Sequence, residues 1–168
     1  GGHPFVPGEV QPKYMWPLGK SKDDWEAEEL IKTVRKYNPD ILINDRTGIE
    51  QDLNTPEQVQ PLNWLRKKSG ELILWEACQT FSGSWGYHRD ESTWKSPEML
   101  IEMLITTVSR GGNLIMNVGP TARGYLDERA IDALKVYEKW MKYNGRSIYG
   151  CTMAEPEFTE PYGTRMTQ

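Results

Sequence analysis

Two glutamates of the sequence, Glu57 and Glu76, carry side chains that can give and take protons, and their surroundings differ. Glu57 lies on a stretch from residue 47 to about residue 60 that shows no hydrophobic period, and a carboxylate on such a loop is usually solvated. Glu76 follows the apolar run 72–75, where its carboxyl group should be partly desolvated. Glu76 is therefore either a structural acid paired with a buried donor or a catalytic acid, and the residues alone leave both alternatives open.

A second set of candidates would bind a ligand rather than react with it. Residues 44–46 (Asn-Asp-Arg) place an amide, a carboxylate and a guanidinium side by side. Arg46 offers planar donors for hydroxyl or carboxylate groups, but an ion pair that steadies the loop explains the same residues equally well. The stretch 81–87 interleaves Phe81, Trp85 and a tyrosine with glycine and serine. These rings would form either a stacking wall for a flat ligand or part of a packed core.

The composition excludes several classes of function. The chain has 168 residues, a net charge of −4 and a pI near 5.3, which argues against nucleic-acid binding because phosphate recognition needs clustered cations. No apolar run approaches the roughly 20 residues of a membrane helix. His3 and His88 lack metal-ligand spacing, Cys78 and Cys151 are too few for a disulfide framework, and residues 111–113 do not open a helix as a dinucleotide fingerprint would. We therefore predict no membrane segment, no metal and no cofactor.

The candidate residues need a scaffold, and the hydrophobic pattern predicts one of alternating helices and strands. Helical spacing predicts helices over residues 27–38, 97–109 and 127–143. Short apolar runs predict buried strands at residues 41–43, 72–75, 114–116 and 147–151. This alternation indicates parallel β/α units, which would form half of a barrel or a small open sheet. Because the polar residues come at predicted strand ends, where α/β proteins place ligand sites, the pattern favours a site there.

Local signals predict where the helices begin and end. The signals are Ser21 with Asp24 as a capping box, Asn38 before Pro39 as a stop, Ser96 and Pro97 as N-cap and first helical residue, and the pairs 111–112 and 144–145 as stops.

Several motifs occur in a characteristic order. They are Asn-Pro-Asp-Ile-Leu-Ile-Asn-Asp-Arg at 38–46, Thr-Pro-Glu-Gln at 55–58, Trp-Glu-Ala-Cys at 75–78, Ser-Trp-Gly-Tyr at 84–87, Gly-Gly-Asn-Leu at 111–114 and Asn-Val-Gly-Pro-Thr at 117–121, with Asn144-Gly145 and Ile148-Tyr149 near the end. Together they resemble the α-L-fucosidases of glycoside hydrolase family 29, over roughly residues 22 to 150. The resemblance implies a (β/α)8-like catalytic barrel that hydrolyses terminal α-linked L-fucose with retention.

The resemblance also implies that the chain is only part of such a barrel. Residues 1–168 would form one partial catalytic domain of the α/β class, the C-terminal half of a (β/α)8-like barrel from the helix after strand four through strand eight, with residues 41–43 as strand five. Retaining glycosidases use a nucleophile and an acid/base. In this family the nucleophile is an Asp in a Trp-x-Asp-Gly type motif, which this chain lacks. Its first residues, Gly1 and Gly2, look like the glycines just after that Asp.

The resemblance also implies which residues of this chain would serve the site. Glu57 matches the position where many members carry the acid/base, and Glu76 remains the rival because that position varies within the family. Arg46 matches a residue that contacts the sugar. Trp85 or Phe81 would line the apolar face of the sugar.

The expected partner is a fucosylated glycan or glycoside, with no nucleic acid and no membrane. We also expect the chain to be inactive alone and either to need the missing N-terminal half-barrel or to self-associate, because unpaired strand edges invite pairing. The alternative is a non-catalytic carbohydrate-binding or scaffold module that keeps the aromatic wall. Family members are often secreted, periplasmic or lysosomal, and no compartment is predicted from this sequence.

Overall fold

A computed structural model describes residues 21–155, 157, 158, 161 and 164–168. The chain divides into two compact units, with the boundary between Asn54 and Thr55. Residues 1–20, with His3 and the Gly1-Gly2 pair, lie outside the described residues. No helix in the described ranges is long and apolar enough to cross a membrane.

The first unit contains a helix that ends where the sequence predicted. The predicted capping box, however, lies before the start of this helix. Helix α1 spans Ala27–Tyr37 and ends at Asn38, which is extended as the following proline requires. Ser21 and Asp24 exchange the hydrogen bonds of a capping box, with Ser21 N–H donating to Asp24 at 2.7 Å and Asp24 N–H donating to the Ser21 hydroxyl at 3.3 Å. They close a turn before α1 rather than its first turn, because Glu26 has a φ of +48° and interrupts the helical backbone.

The strand predicted at residues 41–43 is wrong. The segment has no strand ladder in the described part of the chain, and Leu42 is 66% exposed. The Asp52 carboxylate accepts the Ile43 N–H at 2.7 Å and the Asp52 N–H donates to the Ile43 carbonyl at 3.0 Å. Arg35 holds Asp52 from the helix side, so a side-chain clamp satisfies the backbone groups that a neighbouring strand would otherwise pair with.

After this segment the chain makes a 3₁₀ turn and a short strand. The turn spans Asp45–Thr47, and the Asn44 side chain accepts the Arg46 N–H at 3.1 Å at its start. Strand β1 spans Leu53–Asn54, and a parallel bridge joins Asn44 to Leu53.

The second unit contains two parallel strands. Strand β2 spans Leu74–Thr80, strand β3 spans Asn113–Asn117, and the two pair with Cys78 opposite Ile115. The strand predicted at residues 72–75 therefore exists but extends five residues further. Glu76 lies inside the strand rather than at its end, because the polar residues after it continue the alternation of buried and less buried side chains.

Each helix of the second unit begins with a capping side chain: Ser96 caps the first as predicted, and Asp127, predicted as the first helical residue, caps the second. Helix α2 spans Pro97–Ser109, and the Ser96 hydroxyl accepts the Met99 N–H. Helix α3 spans Glu128–Asn144, and the Asp127 carboxylate accepts the Arg129 N–H at 3.0 Å. Helix α2 packs against both α3 and β3. The core between these elements is formed by Phe81, Leu100, Ala130 and Ala133.

The strand predicted at residues 147–151 is also wrong. A second 3₁₀ turn spans Gly145–Ser147, and the Gly145 carbonyl accepts the N–H groups of both Ile148 and Tyr149. Gly150 follows with a φ of +71°. Turn hydrogen bonding thus determines this segment, although its apolar residues favour a strand in isolation.

The two faces of the parallel pair differ in burial. Side chains alternate along each strand, so Trp75, Ala77 and Gln79 share one face and are buried. The other face, called the open face below, carries Leu74, Glu76, Cys78 and Thr80 of β2 and Asn113, Ile115 and Asn117 of β3, and of these Thr80 is the buried one. Leu74 is 50% exposed and Ile115 is 46% exposed.

The glycine pair after α2 is needed for packing as well as for ending the helix. Gly111 has a φ of +77°, and the N–H groups of the pair return to the Val108 and Thr107 carbonyls, which ends α2 as predicted. A Cβ at Gly112 would lie 2.4 Å from the Trp75 ring, which is fully buried.

We predict that Gly112→Ala lowers the free energy of unfolding by about 1–3 kcal/mol, because the added methyl group overpacks a buried ring. Gly86→Ala is the matched control, since a Cβ there meets nothing within 4 Å and should change stability by no more than about 0.5 kcal/mol. Urea unfolding of the full-length gene product measures both. Equal stability of the two variants would contradict the packing of residue 112 against Trp75.

Candidate active site

Glu57 lies beside β2 in a fixed backbone position. A parallel bridge pairs it with Cys78, where the Cys78 N–H donates to the Pro56 carbonyl and the Gln58 N–H donates to the Cys78 carbonyl, both at 2.9 Å. The Glu57 side chain is exposed. The stretch 47–60, which was predicted to be a loop because it has no hydrophobic period, is therefore attached to the sheet at Glu57.

The bridge also determines on which face of the sheet the Glu57 side chain lies. Residues directly opposite in a ladder point to the same side, so Glu57, Cys78 and Glu76 all belong to the open face. Strand spacing and rise put the Cα atoms of Glu57 and Glu76 roughly 8 Å apart. Both predicted carboxylates thus lie on one side of the sheet as near neighbours.

Glu76 is half-buried, in agreement with the partial desolvation expected for it. It stands opposite Asn113 in the parallel register. Within the described ranges its carboxylate makes no hydrogen bond or ion pair, so this part of the chain supplies no donor for a structural role.

The carboxyl end of β2 is capped by a lysine that sequence reasoning did not single out. The Lys95 amine donates to the Thr80 carbonyl at 2.6 Å, and the Lys95 N–H donates to the Phe81 carbonyl at 2.9 Å. Desolvation lowers the pKa of this amine, partly offset by the Glu91 carboxylate. These bonds hold the strand end where the aromatic loop, residues 81–87, begins.

The two rings proposed for sugar stacking have different environments. Phe81 is 4% exposed and belongs to the core between the helices, whereas Trp85 is 40% exposed. The Asn117 side chain, at the end of β3, donates to the Trp85 carbonyl at 2.7 Å. Gly119 lies so close to the aromatic loop that a Cβ there would approach the Tyr87 nitrogen to 2.3 Å. Trp85 is therefore the stacking candidate that has an accessible ring, and Phe81 supports the loop from below.

A carboxylate that sequence reasoning missed holds this loop together. Glu91 accepts the Ser84 hydroxyl at 2.5 Å, the Thr93 hydroxyl at 2.6 Å and the Thr93 N–H at 2.8 Å. These bonds, the Ser84 hydroxyl first, lower the pKa of Glu91 to about 2. The cluster of polar residues just after the aromatic motif was the only signal in the sequence that pointed to it.

Arg129 fixes the same segment from α3. Its guanidinium donates to the Glu91 carbonyl at 3.0 Å and lies 4.7 Å from the centre of the Trp94 ring. It also pairs with Asp127, the cap of α3, and these bonds from Arg129 lower the pKa of that carboxyl to about 2. An open cleft results, with a lining that includes Tyr87, His88, Glu91, Trp94 and Asn117.

Arg46, the predicted sugar contact, belongs to the first unit. It lies within the 3₁₀ turn after Asn44, and its side chain is exposed. In the described residues no group of three or more His, Cys, Asp or Glu side chains could hold a metal ion. Neither Cys78 nor Cys151 forms a disulfide within the described residues.

The second unit is built from parallel β/α structure, with carboxylates along one strand and an aromatic loop at the strand ends. This arrangement of polar groups is typical of α/β enzymes. The family model for α-L-fucosidase matches residues 8–146. The chain belongs to the α-L-fucosidase family of glycoside hydrolases.

Curated relatives and solved structures agree with this assignment. The chain is 42% identical to human plasma α-L-fucosidase over 82% of its own length and 36% of that protein, and 41% identical to the rat plasma enzyme over 82% of its length and 37% of that protein. It superposes on α-L-fucosidase isoenzyme 1 from Paenibacillus thiaminolyticus with a TM-score of 0.82 and 35% identity, over 88% of this chain and 37% of that one. A Thermotoga maritima α-fucosidase in complex with fucose gives a TM-score of 0.64 and 29% identity, over 77% of this chain and 28% of that one. The chain thus spans between 28% and 37% of the length of these proteins.

The low pKa of Glu91 makes the aromatic loop sensitive to acid. A carboxyl group whose folded pKa is about 2 stabilises the loop fully above its ordinary pKa of 4.5, and this contribution is lost as the pH falls toward 2. We predict that Ser84→Ala, which removes the largest cause of the shift, raises the pH at which pepsin first cleaves the full-length gene product near Trp85.

Ser92→Ala is the matched control. Ser92 makes a hydrogen bond to the Glu91 carboxylate with its backbone, and the substitution keeps that bond. Its cleavage profile should follow that of the unaltered protein. Identical profiles for Ser84→Ala and Ser92→Ala would show that the Glu91 carboxylate does not hold the loop.

Proposed function

We propose that this chain is part of the catalytic domain of a retaining, exo-acting α-L-fucosidase that hydrolyses terminal α-L-fucosyl linkages of glycans or glycosides. Membership of the family over residues 8–146 supports the reaction class. We propose that the described elements are the C-terminal half of a (β/α)8-like barrel. The parallel pairing of β2 with β3 across the intervening helix α2 supports this assignment, because it is the repeating unit of such barrels.

The observation that carries the assignment of roles is the bridge between Glu57 and Cys78. It holds the exposed Glu57 side chain on the open face of the sheet, where a bound ligand can reach the carboxylate. An acid/base must reach the leaving oxygen and then a water molecule, so it needs a fixed backbone and an accessible carboxyl group. Glu57 meets both requirements.

In this proposal protonated Glu57 donates its proton to the glycosidic oxygen as the bond from that oxygen to the fucose C1 breaks. A nucleophilic carboxylate forms the new bond to C1, and retaining enzymes hold the two carboxyl groups about 5–5.5 Å apart. The Glu57 carboxylate then takes a proton from water as the water oxygen attacks C1 and displaces the nucleophile. We propose that the nucleophile comes from outside the described residues.

Glu76 remains the rival for the acid/base. Its position inside β2 gives its carboxyl group less room to follow the leaving oxygen, and it is half-buried. We assign it to the site as a neighbour of Glu57 that helps to hold the other groups. Trp85 would stack on the apolar face of the sugar with Phe81 behind its loop, and Arg46 would donate to a sugar hydroxyl.

The exposed apolar side chains of the open face support a further part of the proposal. Leu74 and Ile115 would be covered by the rest of the barrel in a complete domain. We propose that residues 1–168 expressed alone do not hydrolyse fucosides and self-associate through this face. Sedimentation of that segment should show oligomers, whereas a cooperatively melting monomer that releases fucose would contradict the proposal.

Fucosides with different leaving groups distinguish the roles of the two glutamates. In the full-length gene product, we predict that Glu57→Ala lowers activity about 10²–10⁴-fold on fucosides with poor leaving groups, because these need protonation most. Activated aryl fucosides should lose less in the first step. Added azide should restore part of the second step, because azide attacks C1 without a base.

Glu76→Ala is the paired variant and should lower activity on all fucosides alike, without rescue by azide. Steady-state rates on an alkyl and a dinitrophenyl α-L-fucoside, with and without azide, compare the two. If azide rescues Glu76→Ala and leaves Glu57→Ala unchanged, the two roles are reversed.

A further inference from the structure

Gln58, the residue after the proposed acid/base, has a backbone conformation that is unfavourable for its residue type. Its φ is +56°, in the left-handed region that glycine and asparagine adopt far more readily. Apart from Glu26 before helix α1, no other non-glycine residue in the described ranges has a positive φ. Strained backbone of this kind persists only where surrounding contacts impose it, and it is concentrated at functional sites.

Two hydrogen bonds to the same strand impose this conformation. The Gln58 N–H donates to the Cys78 carbonyl at 2.9 Å, and the Gln58 side-chain amide donates to the Thr80 hydroxyl at 2.9 Å. On its other side, Glu57 is flanked by Pro56, whose carbonyl accepts the Cys78 N–H. Glu57 therefore stands between backbone anchors on both sides, and the Gln58 side chain adds an anchor to Thr80.

The hydroxyl that Gln58 binds is itself fixed. Thr80 is fully buried, and its hydroxyl donates to the Ser82 carbonyl. The Lys95 amine holds the Thr80 carbonyl at 2.6 Å. Since Ser82 belongs to the aromatic loop that carries Trp85, the contact joins the segment of the proposed acid/base to the segment of the proposed sugar wall.

We propose that Gln58 is a positioning residue for Glu57, which rests on the function proposed above. Its side chain sets the distance between the Glu57 carboxylate and the sugar held against the aromatic loop, so that the carboxyl proton meets the leaving oxygen. A residue needed only for the turn would be served better by glycine or asparagine, which adopt the left-handed conformation at lower cost. What glutamine adds is an amide long enough to reach Thr80.

The test compares Gln58→Asn with the unaltered full-length gene product. Asparagine keeps the amide and suits the left-handed backbone, but it is one methylene too short to reach the Thr80 hydroxyl. We expect kcat/KM on an alkyl α-L-fucoside to fall about 10–100-fold, as small misplacements of catalytic groups do. The dinitrophenyl fucoside, whose leaving group needs little protonation, should change less than about threefold. The basic limb of the pH profile should also move, because it reports the acid/base.

Two further variants make the result specific. Thr80→Val removes the hydroxyl at constant shape and should reproduce the leaving-group dependence, and its combination with Gln58→Asn should add little further loss. Gln60→Asn is the matched control, because the Gln60 amide donates to the Thr107 hydroxyl and the Met103 carbonyl of α2 and does not contact the strand end. It should change both substrates equally or not at all.

The outcomes separate this inference from the function on which it rests. If the unaltered protein hydrolyses both fucosides and Gln58→Asn lowers them equally, or changes only thermal stability, the inference is overturned and the proposed function stands. If Gln60→Asn gives the same leaving-group dependence as Gln58→Asn, the inference is likewise overturned. A full-length protein that hydrolyses neither fucoside overturns the proposed function and this inference with it.

Discussion

Two backbone hydrogen bonds to Cys78, one from each side of Glu57, determine how the candidate site is arranged. They dock the segment 56–58 in parallel against β2 and fix the side of the sheet that Glu57 occupies. Without them, Glu57 would be one more solvated carboxylate on an irregular stretch. With them, its backbone is as well fixed as that of a strand while its carboxyl group stays exposed, which is the combination that proton transfer to a bound ligand requires.

The rest of the second unit maintains this geometry from the opposite face. Trp75 is buried against Gly112, which follows α2, and Phe81 joins the core that the helices form. The open face keeps its polar groups and its exposed apolar side chains because the helices cover only the other face. At the strand ends, Lys95 and Glu91 hold the aromatic loop by charge-assisted hydrogen bonds, which are stronger than neutral ones. Packing thus supports one side of the sheet, and the proposed chemistry lies on the other.

The sequence predicts features that depend on neighbouring residues and misses those that depend on distant ones. Ser96 and Pro97 begin their helix as predicted, because capping involves only the next few residues. Residues 41–43 fail as a strand because Asp52, nine residues beyond Ile43, takes both backbone hydrogen bonds of Ile43. Neither the link from Gln58 to Thr80 nor the one from Arg129 to Glu91 could be predicted, since each joins residues far apart in the chain. The position of Glu57 on the sheet could not be predicted either, because it depends on Cys78, which is distant in the chain. Its residue type and its motif only made Glu57 a candidate.

The most direct measurement of the central claim is a crystal structure of the full-length gene product with an α-L-fucoside in which sulfur replaces the scissile oxygen. The quantity to be measured is the distance from each carboxylate to that sulfur. Our account predicts that the Glu57 carboxylate lies within hydrogen-bonding distance of the sulfur, with the fucose ring against Trp85 and the bridge to Cys78 intact. A structure in which the Glu76 carboxylate contacts the sulfur and Glu57 points into solvent would contradict it.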